Sequence, residues 1–479
     1  MSDLVSISPH ANLPEVCIAG FLRAALGLGE TGRLIARALQ SQGIPLRSEV
    51  YEKADVPQLS HIPPHENTAS PPSAHPGLTL LCLNGEHFQA FYRKNGAALF
   101  ENRYVISTWF WETEELPDAA AQGFRFVDEV WAASAFVEST LRKRSGDVPV
   151  HRFVHPLSGL IGDAATARRR FAFEDRFVFL FTFDFNSCLR RKNPAAVCEA
   201  FVKAFPEPQN HGPLCVIKSI NGATHPVDFS LLRWQWSQRP DIIFLDGFLS
   251  TEDRDLRVHR ADAVVSLHRS EGLGLTMLEA MAIGKPCLGT AYSGNLEFMT
   301  PENSWLIPCE RVLVGPGSLH YPADHHWAEP DLAAAAAAMQ EIHANPAAAQ
   351  QRAERGRTEV LARHRLDVSG AALAALLHQS ATRPIRPKDL AHERLTARAA
   401  AYETLAQLRE IETSLAATPP KQLHQATLHL SRKHRQILSH ALRAMKEQDH
   451  QHRDQLQTLR ATIDRISLQM EELIARLQP

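Results

Sequence analysis

Ser266 to Thr290, SLHRSEGLGLTMLEAMAIGKPCLGT, decides how the rest of this chain is read. The apolar run AVVSLH (263–268) has the character of a buried strand. A short glycine-containing loop follows it, a helix begins near Gly274 to Thr276, and KPCLGT (285–290) returns as a strand. Continuous apolar strands separated by helices belong to a parallel sheet covered on both faces. Backbone N–H groups at a helix start, flanked by glycines that allow close approach, make an anion site. A diphosphate is the natural occupant. Glu271 lies in the loop before the helix and Glu279 inside it, so the two carboxylates can accept from hydroxyls at either end of a bound molecule. A nucleotide sugar has such hydroxyls, on the sugar and on the ribose. The alternative is an ordinary amphipathic helix carrying two solvated glutamates.

Working outward, the same alternation occurs twice. Before residue 160 the strands are VCIAG (16–20), LTLLCLN (78–84), YVISTWF (104–110) and EVWAAS (129–134). After residue 170 they are FVFLFTFDF (177–185), LCVIKSI (214–220), DIIFLDG (241–247), AVVSLH and KPCLGT. This predicts an α/β chain of two Rossmann-like domains, 1–160 and 170–384, with a helical segment from about 331 to 380 closing the body. Residues 56–77, rich in Pro, Ser and His, read as a long surface loop. From 385 to 479 glycine disappears. Leu456, Leu459, Ile463, Ile466, Met470, Leu473 and Leu477 are spaced 3-4-3-4-3-4, which predicts a helical coiled-coil tail and self-association through it. A helical hairpin folded back on the body is the alternative.

Composition excludes several classes. The net charge of −2 argues against nucleic acid as a partner, because phosphate-backbone binding needs a clustered basic excess. The seven cysteines are scattered without a CxxC, which offers no zinc framework. No HExxH, HxH or strand-end DxD supplies a metal site despite 24 histidines. Neither a signal peptide nor an apolar run of membrane-spanning length is visible, so a cytoplasmic protein is expected. A peripheral seat at the inner face of the membrane is compatible with that.

With its glutamates eight positions apart, EGLGLTMLE resembles the E-x7-E motif of retaining GT-B glycosyltransferases, specifically glycosyltransferase family 4 (group 1). The resemblance implies that Glu271 contacts the donor sugar and Glu279 the ribose, with Gly274, Leu275 and Thr276 near the diphosphate. AYSGNLEFM (291–299) resembles the family's next loop and puts Ser293 and Gly294 beside the phosphates. FDFNSCLRRKNPAAVCEAF (183–201) resembles its cationic region. Lys192 matches the family lysine, but Phe183-Asp184 stand where Gly-Arg is usual, so the second cation falls to Arg190, Arg191 or Lys218. GFLRAALGLGETGR (20–33) resembles the N-terminal glycine loop through Gly27 and Gly29. VDEVWAASAFV (127–137) resembles another family stretch, with Ala133 where proline is common. WFWE (109–112) replaces a family histidine with Trp111-Glu112, as in bacterial polysaccharide transferases that carry W-x-W-E. Base contacts are expected near Gly247.

The resemblance therefore implies a retaining, metal-independent hexosyltransferase with Glu271, Lys192, Arg191 and Glu112 as catalytic residues. Its donor would be a GDP- or UDP-linked hexose such as mannose, with no further cofactor. Its acceptor would be a glycan or lipid-linked saccharide in polysaccharide or lipopolysaccharide assembly. Two competing expectations are a catalytically silent GT-B scaffold acting through its coiled coil, and another GT-B activity such as an epimerase or phosphorylase.

Overall fold

The computed structural model describes residues 13–51, 77–95, 97–171, 173–208, 211–318 and 321–390. The expected coiled coil, and nearly all of the expected 56–77 loop, lie outside those residues.

Six strands form the first sheet: β1 (Val16–Gly20), β2 (Leu46–Val50), β3 (Leu78–Cys82), β4 (Tyr104–Trp109), β5 (Glu129–Ala132) and β6 (Val150–Arg152). All are parallel, in the order β2-β1-β3-β4-β5-β6. A second parallel sheet holds β7 (Val178–Asp184), β8 (Leu214–Ile220), β9 (Ile242–Asp246), β10 (Ala263–Ser266), β11 (Cys287–Thr290) and β12 (Trp305–Ile307), in the order β12-β11-β10-β7-β8-β9. In each sheet the order reverses beside the first strand, and ligands of such folds bind outside the carboxyl ends of the strands at that reversal. The second sheet reverses between β7 and β10, the two strands that lead into Lys192 and Glu271.

The apolar runs become central strands because both faces are covered. Every residue of β1, β3, β4 and β10 is buried. Helix Gly27–Ser41 buries Leu34, Ile35, Ala38 and Leu39, a stripe at helical spacing. Pro194 opens helix Pro194–Ala204, where its missing N–H is harmless.

After β12 the chain makes an antiparallel hairpin, β13 (Cys309–Leu313) and β14 (His326–Pro330). It then runs through helices Leu332–Ala344, Pro346–His364 and Leu366–Ala381. The last of these, which the sequence reading placed at the end of the 170–384 segment, also reaches the first domain. A Cβ on Gly370 would stand 2.5 Å from the Ala38 carbonyl oxygen, so this helix lies directly on Gly27–Ser41 of the first domain. Ser380 near its end and Arg383 just beyond it reach the buried carboxylate of Glu129, and Lys388 pairs with Asp128 at 2.5 Å. Sequence periodicity marks helices but not the partner each one packs on.

Candidate active site

β10 delivers its loop to the head of helix Leu275–Ala282. Gly274 makes the turn at φ +94°, a conformation that side-chain-bearing residues rarely adopt, and stands as the helix N-cap. The first-turn amides of Leu275 and Thr276 face out of the helix start, as the geometry of an α-helix requires. On the neighbouring strand β7 the chain turns through the short helix Leu189–Lys192. Non-glycine left-handed residues flank that helix, Cys188 at φ +68° and Asn193 at φ +57°. Such strain persists only where the surroundings over-determine it. Here Asn193 Nδ2 donates to the Leu267 carbonyl at 3.1 Å, and Arg269 N–H donates to that of Arg191 at 2.8 Å.

The two loops meet in a line of charge. Lys192 Nζ donates to Glu271 Oε1 at 2.5 Å. Arg191 Nη1 stands 3.2 Å from Glu271 Oε2 and donates to the Ser270 carbonyl at 2.8 Å. Its Nη2 is 3.9 Å from Glu112 Oε1, across the cleft on the first domain. Burial by itself would raise the Glu271 carboxyl, but Lys192 and Arg191 overcome it and hold the group at about 2. The four residues expected to be catalytic are thus contiguous. Arg191, only 4% exposed, serves the cluster from behind, whereas Lys192 and Glu271 keep part of their side chains open to the cleft.

The backbone under Glu271 is held on both sides. Its N–H donates to Ser293 Oγ at 2.9 Å, and its carbonyl accepts from Gly294 N–H at 2.8 Å. Ser293 takes φ +75°, and its hydroxyl donates to the Tyr292 carbonyl. A Cβ on Gly294 would stand 2.2 Å from the Gly272 carbonyl oxygen, so no other residue fits that crossing.

Residues 173–313 match the family model described as glycosyl transferases group 1. Over those residues the second domain is similar to group 1 glycosyltransferases. Among solved structures, sucrose-phosphate synthase from Thermosynechococcus elongatus aligns over 77% of this chain and 98% of its own, at 16% identity and TM-score 0.56. Anabaena HepE in complex with UDP and glucose aligns over 76% and 99%, at 12% identity and TM-score 0.53. A glycosyltransferase from Rickettsia africae aligns over 78% and 100%, at 12% identity and TM-score 0.52. The shared architecture is GT-B: two parallel-sheet domains facing each other. No curated protein matches this chain.

The remaining expected residues of the second domain fall into separate places. Glu279 is half-buried on helix Leu275–Ala282. Burial raises its carboxyl to about 7, against the pull of Arg254 and with help from Glu30 and Asp255. Glu30 belongs to the first domain, so this carboxylate also faces the cleft. Lys218 donates to the carbonyls of Ser219 and Gly247 at 2.5 Å each, which joins the ends of β8 and β9. Burial and the nearby Arg257 lower its ammonium to about 8. Lys218 is thus bound to backbone, and Arg191 is the cation beside Lys192. Arg190 donates instead to the carbonyls of Val314 and Pro316.

In the facing domain Gly29 is required by packing, since a Cβ there would stand 2.4 Å from the Ala24 carbonyl oxygen. Gly27 borders open space. Arg33 fixes this loop by donating to the carbonyls of Leu22 and Ala24 and to Glu30. Among the described residues, no group of three or more His, Cys, Asp or Glu side chains could hold a metal ion. No described helix is long and apolar enough to cross a membrane.

Tyr321 was not anticipated. Its hydroxyl donates to Glu112 Oε2 at 3.0 Å and so extends the line Lys192–Glu271–Arg191–Glu112 by one member. It lies in YPADHHWAEPD (321–331), which carries no turn, helix or strand signal that would aim a tyrosine at a cleft. The Glu112 side of that contact was legible from WFWE.

Proposed function

We propose that this protein is a retaining hexosyltransferase that takes its sugar from a GDP- or UDP-linked donor and passes it to a glycan or lipid-linked saccharide. The reading is supported above all by the Lys192–Glu271–Arg191 cluster at the head of helix Leu275–Ala282, inside the group 1 domain. Lys192 and the amides of Leu275 and Thr276 neutralise the diphosphate, with Ser293 and Gly294 lining its other side. Glu271, kept ionised by its two cations, accepts from sugar hydroxyls. Glu279 accepts from the ribose, and the residues around Gly247 approach the base. Glu112 borders the acceptor. Charge that develops on the departing diphosphate is met by Lys192 directly and by Arg191 through the buried pair. No protein nucleophile is required: the acceptor hydroxyl attacks from the face the diphosphate leaves, and a phosphate oxygen takes its proton. No cofactor beyond the donor itself enters this scheme. Polysaccharide or lipopolysaccharide assembly at the inner face of the membrane is the proposed setting.

The test is a thermal-shift comparison of UDP, GDP and ADP with the full chain, followed by hydrolysis of the matching nucleotide sugars. A ligand that binds only the folded state raises its stability as RT ln(1 + [L]/Kd). One base should give a clear shift, and its hexose donor should turn over in wild type but not in Glu271→Ala. No shift and no turnover with any nucleotide would overturn the proposal and favour a silent scaffold.

A further inference from the structure

Four successive residues of the first domain, Glu112 to Glu115, are each held by the β13–β14 segment of the second. Tyr321 donates to Glu112. Thr113 Oγ1 and His325 Nδ1 are hydrogen-bonded at 3.0 Å. Arg311 forks onto Glu114, with Nη2 at 2.9 Å from Oε2. His326 Nδ1 stands 2.9 Å from Glu115 Oε1, and its backbone N–H donates to Oε2 at 3.1 Å. Apolar contacts match this polar register. Val314, Tyr321 and Trp327 are buried in the core of the first domain, and the Tyr321 ring stands edge-on to Trp111 at 5.9 Å. The hairpin follows the second sheet in sequence and is tied to both domains, since Arg269 of the second forks onto Glu329 while Val314, Tyr321 and Trp327 enter the core of the first.

The buried end of this contact is what bears on chemistry. Tyr321 is 7% exposed, so water cannot readily replace it as the donor to Glu112. The other oxygen of Glu112 faces Arg191, whose guanidinium faces Glu271. Without the phenol, the carboxylate is free to rotate away from Arg191 and relax the whole line.

We propose that Tyr321 is a positioning residue for the transfer reaction: by donating to one oxygen of Glu112 it aims the other at Arg191, and so fixes Arg191 against Glu271. This rests on the glycosyltransferase reading. Tyr321→Phe keeps the ring and removes only the hydroxyl. Assayed with the nucleotide sugar selected by the thermal-shift panel, it should lower kcat about tenfold or more, while KM for the donor stays within about twofold and Tm is little changed. The same substitution made in Glu112→Gln should add little, because residues that act through one another are not additive. Wild-type kcat in Tyr321→Phe would overturn the inference, as would full additivity with Glu112→Gln. If wild type turns over no nucleotide sugar at all, the functional reading fails and this role fails with it. An active wild type with an indifferent Tyr321→Phe fails this role alone.

Discussion

Ser134 of the first domain donates its hydroxyl to the carbonyl of Gly272 in the second at 2.8 Å, so the loop that presents Glu271 is anchored by the domain it faces. The same oxygen accepts from Val137 N–H and caps helix Ala135–Arg142. Ser134→Ala should therefore lose a cap and strand a buried carbonyl together, about 2 kcal/mol in all. Urea titration would read the loss. Turnover should fall too, whereas a cap elsewhere, such as Asp163→Ala, should leave it unchanged.

Glu271→Gln keeps the shape of the side chain and removes its charge beside Lys192 and Arg191. Donor turnover should drop by about 100-fold or more, the scale seen when an electrostatic contact at a reacting centre is lost. With its folded value near 2, Glu271 contributes stability that is complete above the usual carboxylate range and is lost as pH falls toward 2. Acid unfolding curves of wild type and variant should converge at low pH. Curves that stay parallel down to pH 2 would contradict the ion pair.

Glu279 runs the other way. Its carboxyl is raised to about 7, so the folded state favours the protonated form. That contribution is fully present below about pH 4.5 and fades as pH rises through 7. Glu279→Gln should be near neutral for stability at pH 5 and stabilising at pH 8, by up to about 3 kcal/mol. A Tm difference independent of pH would refute the assignment.

His155 is fully buried, with Nε2 bonded to Thr31 Oγ1 at 3.0 Å and its other ring nitrogen unpartnered. Burial and the neighbouring His364 hold it neutral, down to about 3. The unfolded chain takes up that proton below about pH 6.5, so stability should fall steadily from pH 6.5 toward 3. His155→Gln should flatten this limb. An equally steep limb in the variant would place the acid sensitivity elsewhere.

Gly294→Ala tests the backbone crossing. Its Cβ would stand 2.2 Å from the Gly272 carbonyl oxygen, and neither backbone can move without shifting Glu271 or Ser293. A loss of about 3 kcal/mol or more is expected, with nucleotide binding weakened in proportion. Wild-type affinity by calorimetry would show the crossing to be looser than drawn.

Five of the six strands of the second sheet were legible, and continuous apolar runs such as FVFLFTF mark its central strands without help from context, whereas the three-residue edge strand β12 carries no such run. β2 and β6 lie at the edges of the first sheet, where half-exposed sequences such as LRSEV carry no such mark. At the candidate site, Glu271 and Lys192 were singled out by resemblance to family motifs, and the structure brings the two together. The second cation could not be singled out: Arg190, Arg191 and Lys218 are chemically equivalent in one dimension, and only the turn at Cys188 decides which faces Glu271. Tyr321 was illegible for a stronger reason. Its partner lies 209 residues away, on a surface that exists only once both domains are folded.

The hairpin at residues 309–330 has a practical consequence for building hybrid enzymes. The group 1 match ends at residue 313, on the last residue of β13, which makes that position look like a natural seam for moving the second domain onto another first domain. Cutting there would discard Tyr321 and His326. Cutting after β14 would carry both into a new host that lacks Glu112 and Glu115. The exchangeable unit is the second domain together with the ETEE loop of the first, so grafts of this protein must take two separated pieces of chain or neither.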